Sequence, residues 1–334
     1  MIQANGNHSK DGKMQVGGQA VIEGVMMRSP QRVAVAVRRP DGQIMLKTDS
    51  FQSWTKRYKI LGLPIFRGGV VLIESLVLGV RALTYSGDVA MEAENGKGKG
   101  DDRPEKNTKK SRWATLRLAL TVVFALVLGL LIFFYVPLIL TGLLQVKSGV
   151  WFNLVDGVIR LAIFLAYLFL NTLWSEIRRI FQYHGAEHKS IFAFENGKEL
   201  SLAGVRPFST QHPRCGTSFL LIVMMVSIVV FVFLGRPDNI SERLLRLAFV
   251  PLIGGISYEL IKLSERGYGS SFGRLLIAPG LWLQKITTKE PDDRQLEVAL
   301  IALRGALGEN LRGTAGVVLD EGVPLADDVQ TELA

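Results

Sequence analysis

Residues able to hold a metal ion crowd into one part of this 334-residue chain. His184 and His188 stand four apart in Tyr183-His184-Gly185-Ala186-Glu187-His188-Lys189. His212 and the sole cysteine, Cys215, come later in His212-Pro213-Arg214-Cys215-Gly216. The fourth histidine, His8, lies in a polar N-terminal stretch. On a helix, His184 and His188 are one turn apart on a shared face, so two imidazoles can reach one zinc ion. Glu187 falls about 60° round from His184, where a carboxylate can take the proton of an attacking water. The order His-x-x-Glu-His inverts the His-Glu-x-x-His motif and occurs in one class of zinc peptidase. Gly185 sits mid-helix, where glycine costs about 1 kcal/mol relative to alanine. A close packing contact is expected there.

Two histidines and a cysteine make a catalytic zinc set that leaves a fourth position for water. His212 is the alternative third ligand. Pro213 suits the first turn of a helix with His212 as its cap, which would put Cys215 near a helix N-terminus. Arg214 is placed to stabilise a developing oxyanion. Glu259 is a further candidate ligand, because an acid inside an apolar run is expensive and marks a partner or a site. Its competing reading is a pair with Lys262 or Arg266. Other chemistries fit the same residues: Cys215 as a nucleophile beside a histidine base, or a structural metal pinning two helices. A transporter fits less well, since the spans carry few polar residues.

The elements that must position these residues are membrane helices. Apolar residues make up 48% of the chain and gather in runs long enough to cross a bilayer. Leu118 to Leu140 has no charge. A second span covers Leu161 to Trp174 and must begin near Leu154, carrying Asp156 and Arg160 one turn apart. Thr217 to Leu234 and Leu244 to Leu263 are the third and fourth. Leu275 to Leu283, with Pro279-Gly280, is too short to span and reads as interfacial or re-entrant. The second span's helix is expected to run on through Ser175-Glu176 into the histidine motif.

Residues 1–15 read as a disordered tail. Residues 16–87 form an N-terminal unit. In it the glycines of 17–28 make a tight turn against a core rather than a phosphate loop. Val33 to Val37 and Ile44 to Leu46 flank Pro40-Asp41-Gly42 as a β-hairpin. Arg67, Glu74 and Arg81 put one charged stripe on a helix over 60–84, read as interfacial or packed on the bundle. Residues 88–112 are a charged, glycine-rich linker. Residues 113–310 form the membrane domain, with an amphipathic helix from Gln295 to Leu307 capped at 292–293. Residues 311–334 read as a loose tail. The fold class is therefore mainly α: a polytopic membrane bundle of about four transmembrane helices plus interfacial helices, with a small β-containing unit.

The net charge of +9 would suit nucleic acid, but the basic residues flank apolar runs with no basic and aromatic stripe, which argues for a lipid bilayer as partner and against nucleic acid. Six basic residues precede the first span (Arg103, Lys106, Lys109, Lys110, Arg112, Arg117). Six lie between the second and third (Arg178, Arg179, Lys189, Lys198, Arg206, Arg214). Only Lys147, Arg236 and Arg243 lie in the opposite loops. Both termini and the His/Cys cluster are thus expected in the cytoplasm of a multi-pass cell-membrane protein. A single cysteine makes no internal disulfide.

The blocks 17–28, 183–189, His212-Pro213-Arg214-Cys215-Gly216-Thr217-Ser218-Phe219, Gly255-Ile256-Ser257-Tyr258-Glu259-Leu260 and Thr287-Thr288-Lys289-Glu290-Pro291-Asp292-Asp293 together resemble the YqhQ-like bacterial membrane proteins. That family is of unknown function and is described as predicted metal-dependent enzymes. The resemblance runs from about 15 to 305. It implies that His184, Glu187, His188, His212, Cys215 and Glu259 are motif positions. The linker and the tail beyond 310 look peculiar to this chain. The expected function is a membrane protein with a zinc site, acting as a hydrolase on an unidentified peptide or lipid-linked substrate. The alternative is an adaptor or assembly factor with a structural metal.

Overall fold

The computed structural model describes residues 14–64, 66–94, 108–266 and 271–322. The chain folds mainly as helix, with one small sheet. Four antiparallel strands succeed one another: β1 (Gly17–Val21), β2 (Gly24–Arg28), β3 (Arg32–Arg38) and β4 (Ile44–Ser50). β5 (Val317–Leu319) adds in parallel to β4, with Ile44 opposite Val317. The β3–β4 hairpin turns where Pro40-Asp41-Gly42 places it, with Gly42 at φ 89°. The glycine-rich stretch 17–28 is likewise a hairpin, turning at Ile22-Glu23. Glu23 takes a left-handed φ of 52° there, a conformation unusual for a residue with a Cβ.

The helices are α1 (Trp54–Arg57), then a 3₁₀ turn Lys59–Gly62, and α2 (Phe66–Glu94). Next come α3 (Thr108–Leu130), a π turn Leu131–Tyr135, α4 (Val136–Leu143), α5 (Gly149–Asn171), α6 (Ser175–Glu195) and α7 (Leu202–Val205). Then come α8 (Gly216–Leu234), α9 (Ile240–Ala248), α10 (Val250–Arg266), α11 (Ser271–Thr287) and α12 (Asp293–Leu307). Two irregularities have proline causes, since proline donates no N–H and crowds the carbonyl four residues back. Pro137 comes just after the π turn, and Pro251 just after the break between α9 and α10.

Among the described residues, five stretches are long and apolar enough to cross a membrane: Arg67–Met91, Leu120–Leu143, Gly149–Asn171, Gly216–Leu234 and Ile240–Leu263. The first is additional to the four expected spans, because α2 is one unbroken 29-residue helix. Its charged stripe is used internally. Glu74, 2% exposed, accepts from Ser53 Oγ and pairs with Arg28.

The chain divides into two compact units. One joins Met1–Gly96, Asn171–Ile222 and Gly254–Ala334; the other joins Lys97–Leu170 and Val223–Ile253. In the first, β3 alternates valine and alanine and both faces are covered, as a period of two allows. Val33, Val35 and Val37 pack with Leu78, Ala82 and Val89 of α2. Ala34 and Ala36 pack with Tyr183, Ala186 and Ile191 of α6 and Leu296, Ala299 and Leu303 of α12. The small alanine face lets α12 come close: a Cβ on Gly305 would lie 3.2 Å from that of Ala34.

Several boundaries differ from expectation. The β-rich segment does not form a unit of its own, since its core is completed by α6 and α12. α12 starts at Asp292, whose side chain accepts from Gln295 N–H in a capping box, but it is buried on most sides rather than amphipathic. The second span does not continue into the histidine motif: α5 stops at Asn171, and α6 begins afresh after Trp174, which has extended backbone. α2 runs to Glu94, past the start of the expected linker; the rest of 95–107 lies outside the described residues, as do 1–13 and 323–334 of the two expected tails. The C-terminal stretch is not all loose, because Leu311 is 3% exposed and β5 lies beyond it.

Candidate metal centre

α6 carries the histidine motif and is held from both sides. Towards the sheet it buries Tyr183, Ala186 and Ile191. The Tyr183 hydroxyl donates to Glu23 (3.3 Å), and Arg179 grips the same carboxylate, so the strained hairpin tip is tied to the helix. Burial, then the Glu23 charge, push the Tyr183 phenol well above its usual range. Elsewhere along α6 the chain after α11 crosses as a strap. Lys289 N–H donates to Phe181 C=O (2.9 Å). A Cβ at Gly185 would lie 2.1 Å from the Lys289 carbonyl oxygen. The mid-helix glycine therefore exists to let this strap lie down. Lys189, 4% exposed, closes the same seam by donating to Arg206 C=O (3.0 Å) and pairing with Glu290.

The strap and the 206–212 loop orient the two imidazoles. His184 Nδ1 lies 2.8 Å from Thr287 C=O, and His188 Nδ1 lies 2.5 Å from Thr210 C=O. A carbonyl only accepts, so both rings carry their proton on Nδ1. Each Nε2 is left with a lone pair. His184 Nε2 lies 3.2 Å from Cys215 Sγ, and one ligand atom from each of His184, His188 and Cys215 falls within 4.8 Å of the others. Locking Nδ1–H onto a carbonyl is how proteins fix the tautomer and aim of a metal-binding histidine. Burial pushes His188 below the usual histidine range, against the opposing pull of Cys215, which favours the neutral ligand form. Cys215 is 6% exposed and directly precedes α8. Its sulfur also contacts Thr217 Oγ1 (2.9 Å) and accepts from Thr217 N–H (3.4 Å).

His212 is not one of the three. Its Nδ1 accepts from Arg214 N–H (3.2 Å), so Nε2 holds the proton and donates to Glu195 (3.2 Å). Pro213 belongs to a turn before α8, not to its first turn, so His212 caps that turn rather than the helix. Its backbone is clamped by Gln284 of α11, fully buried: His212 N–H donates to Oε1 (2.7 Å) and Nε2 donates to His212 C=O (2.8 Å) and Ser218 Oγ (2.9 Å). Arg214 is ion-paired with Glu195. Its positive charge is engaged there.

Glu187 is 5% exposed and lies against β1: a Cβ on Gly18 would come within 2.9 Å of Glu187 Cγ. Burial raises its pKa, while His184, His212 and the Gly18 N–H pull the other way. Its carboxylate is outside the three-atom group. Glu259 is elsewhere, paired by both its oxygens with Arg67 of α2 (2.7 and 2.5 Å). The residues that sequence reasoning missed are Thr210, Thr287, Glu195 and Gln284. Two act through backbone carbonyls, which leave no side-chain signal, although Thr287 opens the block 287–293.

One thiol and two imidazole nitrogens form a borderline-soft donor set suited to zinc, and three donors of this kind can leave a fourth position open. The donor types, the tautomers and the convergence on one point all fit such an ion.

Comparison with known proteins gives two matches. The family model "Protein of unknown function (DUF1385)" matches residues 63–309. The chain is 33% identical over 293 residues to "Uncharacterized protein YqhQ" of Bacillus subtilis (strain 168), covering 85% of this chain and 89% of that protein. No solved structure matches. The family model begins after the strands β1 to β4, yet those strands pack on α6 inside the same unit as the centre.

Proposed function

The chain belongs to the DUF1385 family of proteins of unknown function, and we propose that it is a membrane protein whose centre at His184, His188 and Cys215 binds zinc for hydrolysis. The observation that carries this reading is the pair of Nδ1–carbonyl bonds that aim both Nε2 atoms towards Cys215 Sγ. A bound zinc would supply a Lewis acid and lower the pKa of a water. The chain's own contribution is proton handling and orientation. Glu187 neighbours His188, is withdrawn from solvent, and has a pKa raised by burial, which suits a group that takes and returns a proton. The Gly18 N–H orients that carboxylate. Arg214, tied to Glu195, acts as a positioning residue that holds the His212 turn rather than as an oxyanion partner. The substrate class is an unidentified peptide or lipid-linked molecule. From the basic residues flanking the spans, and with α2 packed on the sheet rather than crossing so that four helices cross, we place the centre and both termini in the cytoplasm.

A second reading, a structural metal in a membrane adaptor, is favoured by the burial of His188 and Cys215 and the tight strap over α6. Glu187→Gln separates the two. Its amide oxygen can still accept from Gly18 N–H, so the fold and the ligands remain. Hydrolysis requires that this variant bind metal normally yet fail to restore function in cells lacking the wild-type protein. Full restoration by Glu187→Gln would leave only the structural reading.

A further inference from the structure

The unit made of Lys97–Leu170 and Val223–Ile253 contains a second polar cluster, unrelated to the metal centre. Asp156 and Arg160 on α5 and Arg246 on α9 are 1%, 7% and 1% exposed. Arg160 Nη2 donates to Asp156 Oδ2 (2.7 Å). Arg246 Nη2 donates to Asn153 Oδ1 (2.8 Å) and to Gly235 C=O. Asn153 is itself fixed by Gly149 and Gly235 carbonyls (2.8 and 3.0 Å). Phe231 of α8 stands by both guanidinium groups, its ring centroid 5.4 Å from Arg160 and 4.9 Å from Arg246.

Among the buried groups, two cations against one carboxylate leave one positive charge within two candidate spans. Glu242, one turn earlier on α9, acts on Arg246 from a distance, but its oxygens are hydrogen-bonded by Asp238 N–H (2.6 Å) and Asn239 (3.0 Å). Arg160 Nε and Arg246 Nη1 are buried donors with no hydrogen-bond acceptor, and Asp156 Oδ1 is a buried acceptor with no donor. A buried charge and buried unmet donors are each costly, so a polar ligand is the physical expectation. Asp156 is seven residues into α5, and Arg246 is six into α9. At 1.5 Å per residue, both lie on the order of 10 Å from the N-terminal ends of their candidate spans, Gly149–Asn171 and Ile240–Leu263, close enough to one membrane face for a headgroup to reach.

We infer that Arg160 and Arg246 form a binding site for a singly charged oxyanion of the phosphate type, which guanidinium groups recognise by charge-assisted hydrogen bonds. That chemistry is shared by an anionic phospholipid headgroup and by free phosphate.

The test uses the purified full-length protein in neutral detergent and tracks its unfolding midpoint. It is titrated with phosphatidylglycerol, with zwitterionic phosphatidylcholine, and with inorganic phosphate. The site predicts a saturable upward shift with phosphatidylglycerol and none with phosphatidylcholine. A matching shift with inorganic phosphate assigns the free anion; its absence assigns the lipid headgroup. Arg246→Gln and Arg160→Gln should each weaken the apparent affinity about tenfold, whereas Asp156→Asn, which removes the competing carboxylate, should keep or tighten it. Equal shifts with both lipids and none with phosphate in the wild-type protein would overturn the proposal even if the arginine variants failed to fold. A loss of the phosphatidylglycerol shift in Asp156→Asn would do the same, since it would mark the cluster as an ion pair serving structure alone.

Discussion

His184 Nε2 and Cys215 Sγ stand 3.2 Å apart, although thirty-one residues separate them in the chain. The first is on α6, and the second directly precedes α8. Neither helix brings them together by itself. The strap from Thr287 to Asp293 holds His184 through Thr287 C=O, and Gln284 holds the turn that leads to Cys215. The α11 end and the strap are therefore as much part of the centre as the ligands are.

The strap depends on a single missing methyl group. Alanine normally gains about 1 kcal/mol over glycine in a helix interior. At Gly185 the sign should reverse, because the new Cβ would meet Lys289 O at 2.1 Å. Gly185→Ala is expected to destabilise by about 1–3 kcal/mol, the usual range for overpacking. Gly17→Ala, with nothing within 4 Å, should be close to neutral. Denaturant or thermal unfolding of both variants measures the difference.

Gln284 touches no ligand atom, yet it fixes both backbone groups of His212. Gln284→Ala should lower zinc affinity about tenfold, the scale seen when an orienting partner of a metal site is removed. Competition with a chromophoric chelator gives the number. Unchanged affinity would show that the 212–215 turn keeps its shape without this clamp.

A metal held by His184, His188 and Cys215 would tie two segments of one unit, α6 and the residue before α8. Anything that binds only the folded state stabilises it, by about 2.7 kcal/mol at one hundred times its dissociation constant. Chelation should therefore lower the unfolding midpoint of the wild-type protein. Cys215→Ala, already lacking a ligand, should respond much less to the same chelator.

Much of the fold was legible in sequence because its signals are local. Charge-free runs announce spans, Pro-Asp-Gly between apolar runs announces the β3–β4 hairpin, and Asp292 three residues before Gln295 announces the start of α12. The His184 and His188 spacing was readable for the same reason. What escaped is non-local. Strand β5 has three residues and pairs in parallel with a strand more than 260 positions earlier. The unit around the centre is built from three separated segments, so a linear reading placed its boundaries along the chain instead of through it. Glu259 looked like a ligand because its partner, Arg67, lies 192 residues away. His212 looked like one because nothing in the sequence states that Arg214 N–H and Glu195 occupy its two nitrogens.

On the proposed reading, His184, His188 and Cys215 together hold one metal ion. Metal content of the purified protein, measured for the wild type and for His184→Ala, His188→Ala, Cys215→Ala, His212→Ala and Glu259→Ala, tests it most directly. The geometry predicts about one zinc per chain in the wild type, loss in the first three variants, and retention after Glu259→Ala, with His212→Ala weakening binding without abolishing it. A wild-type protein that takes up no zinc when supplied with it, or full occupancy after loss of Cys215, would rule out a metal held by these three residues.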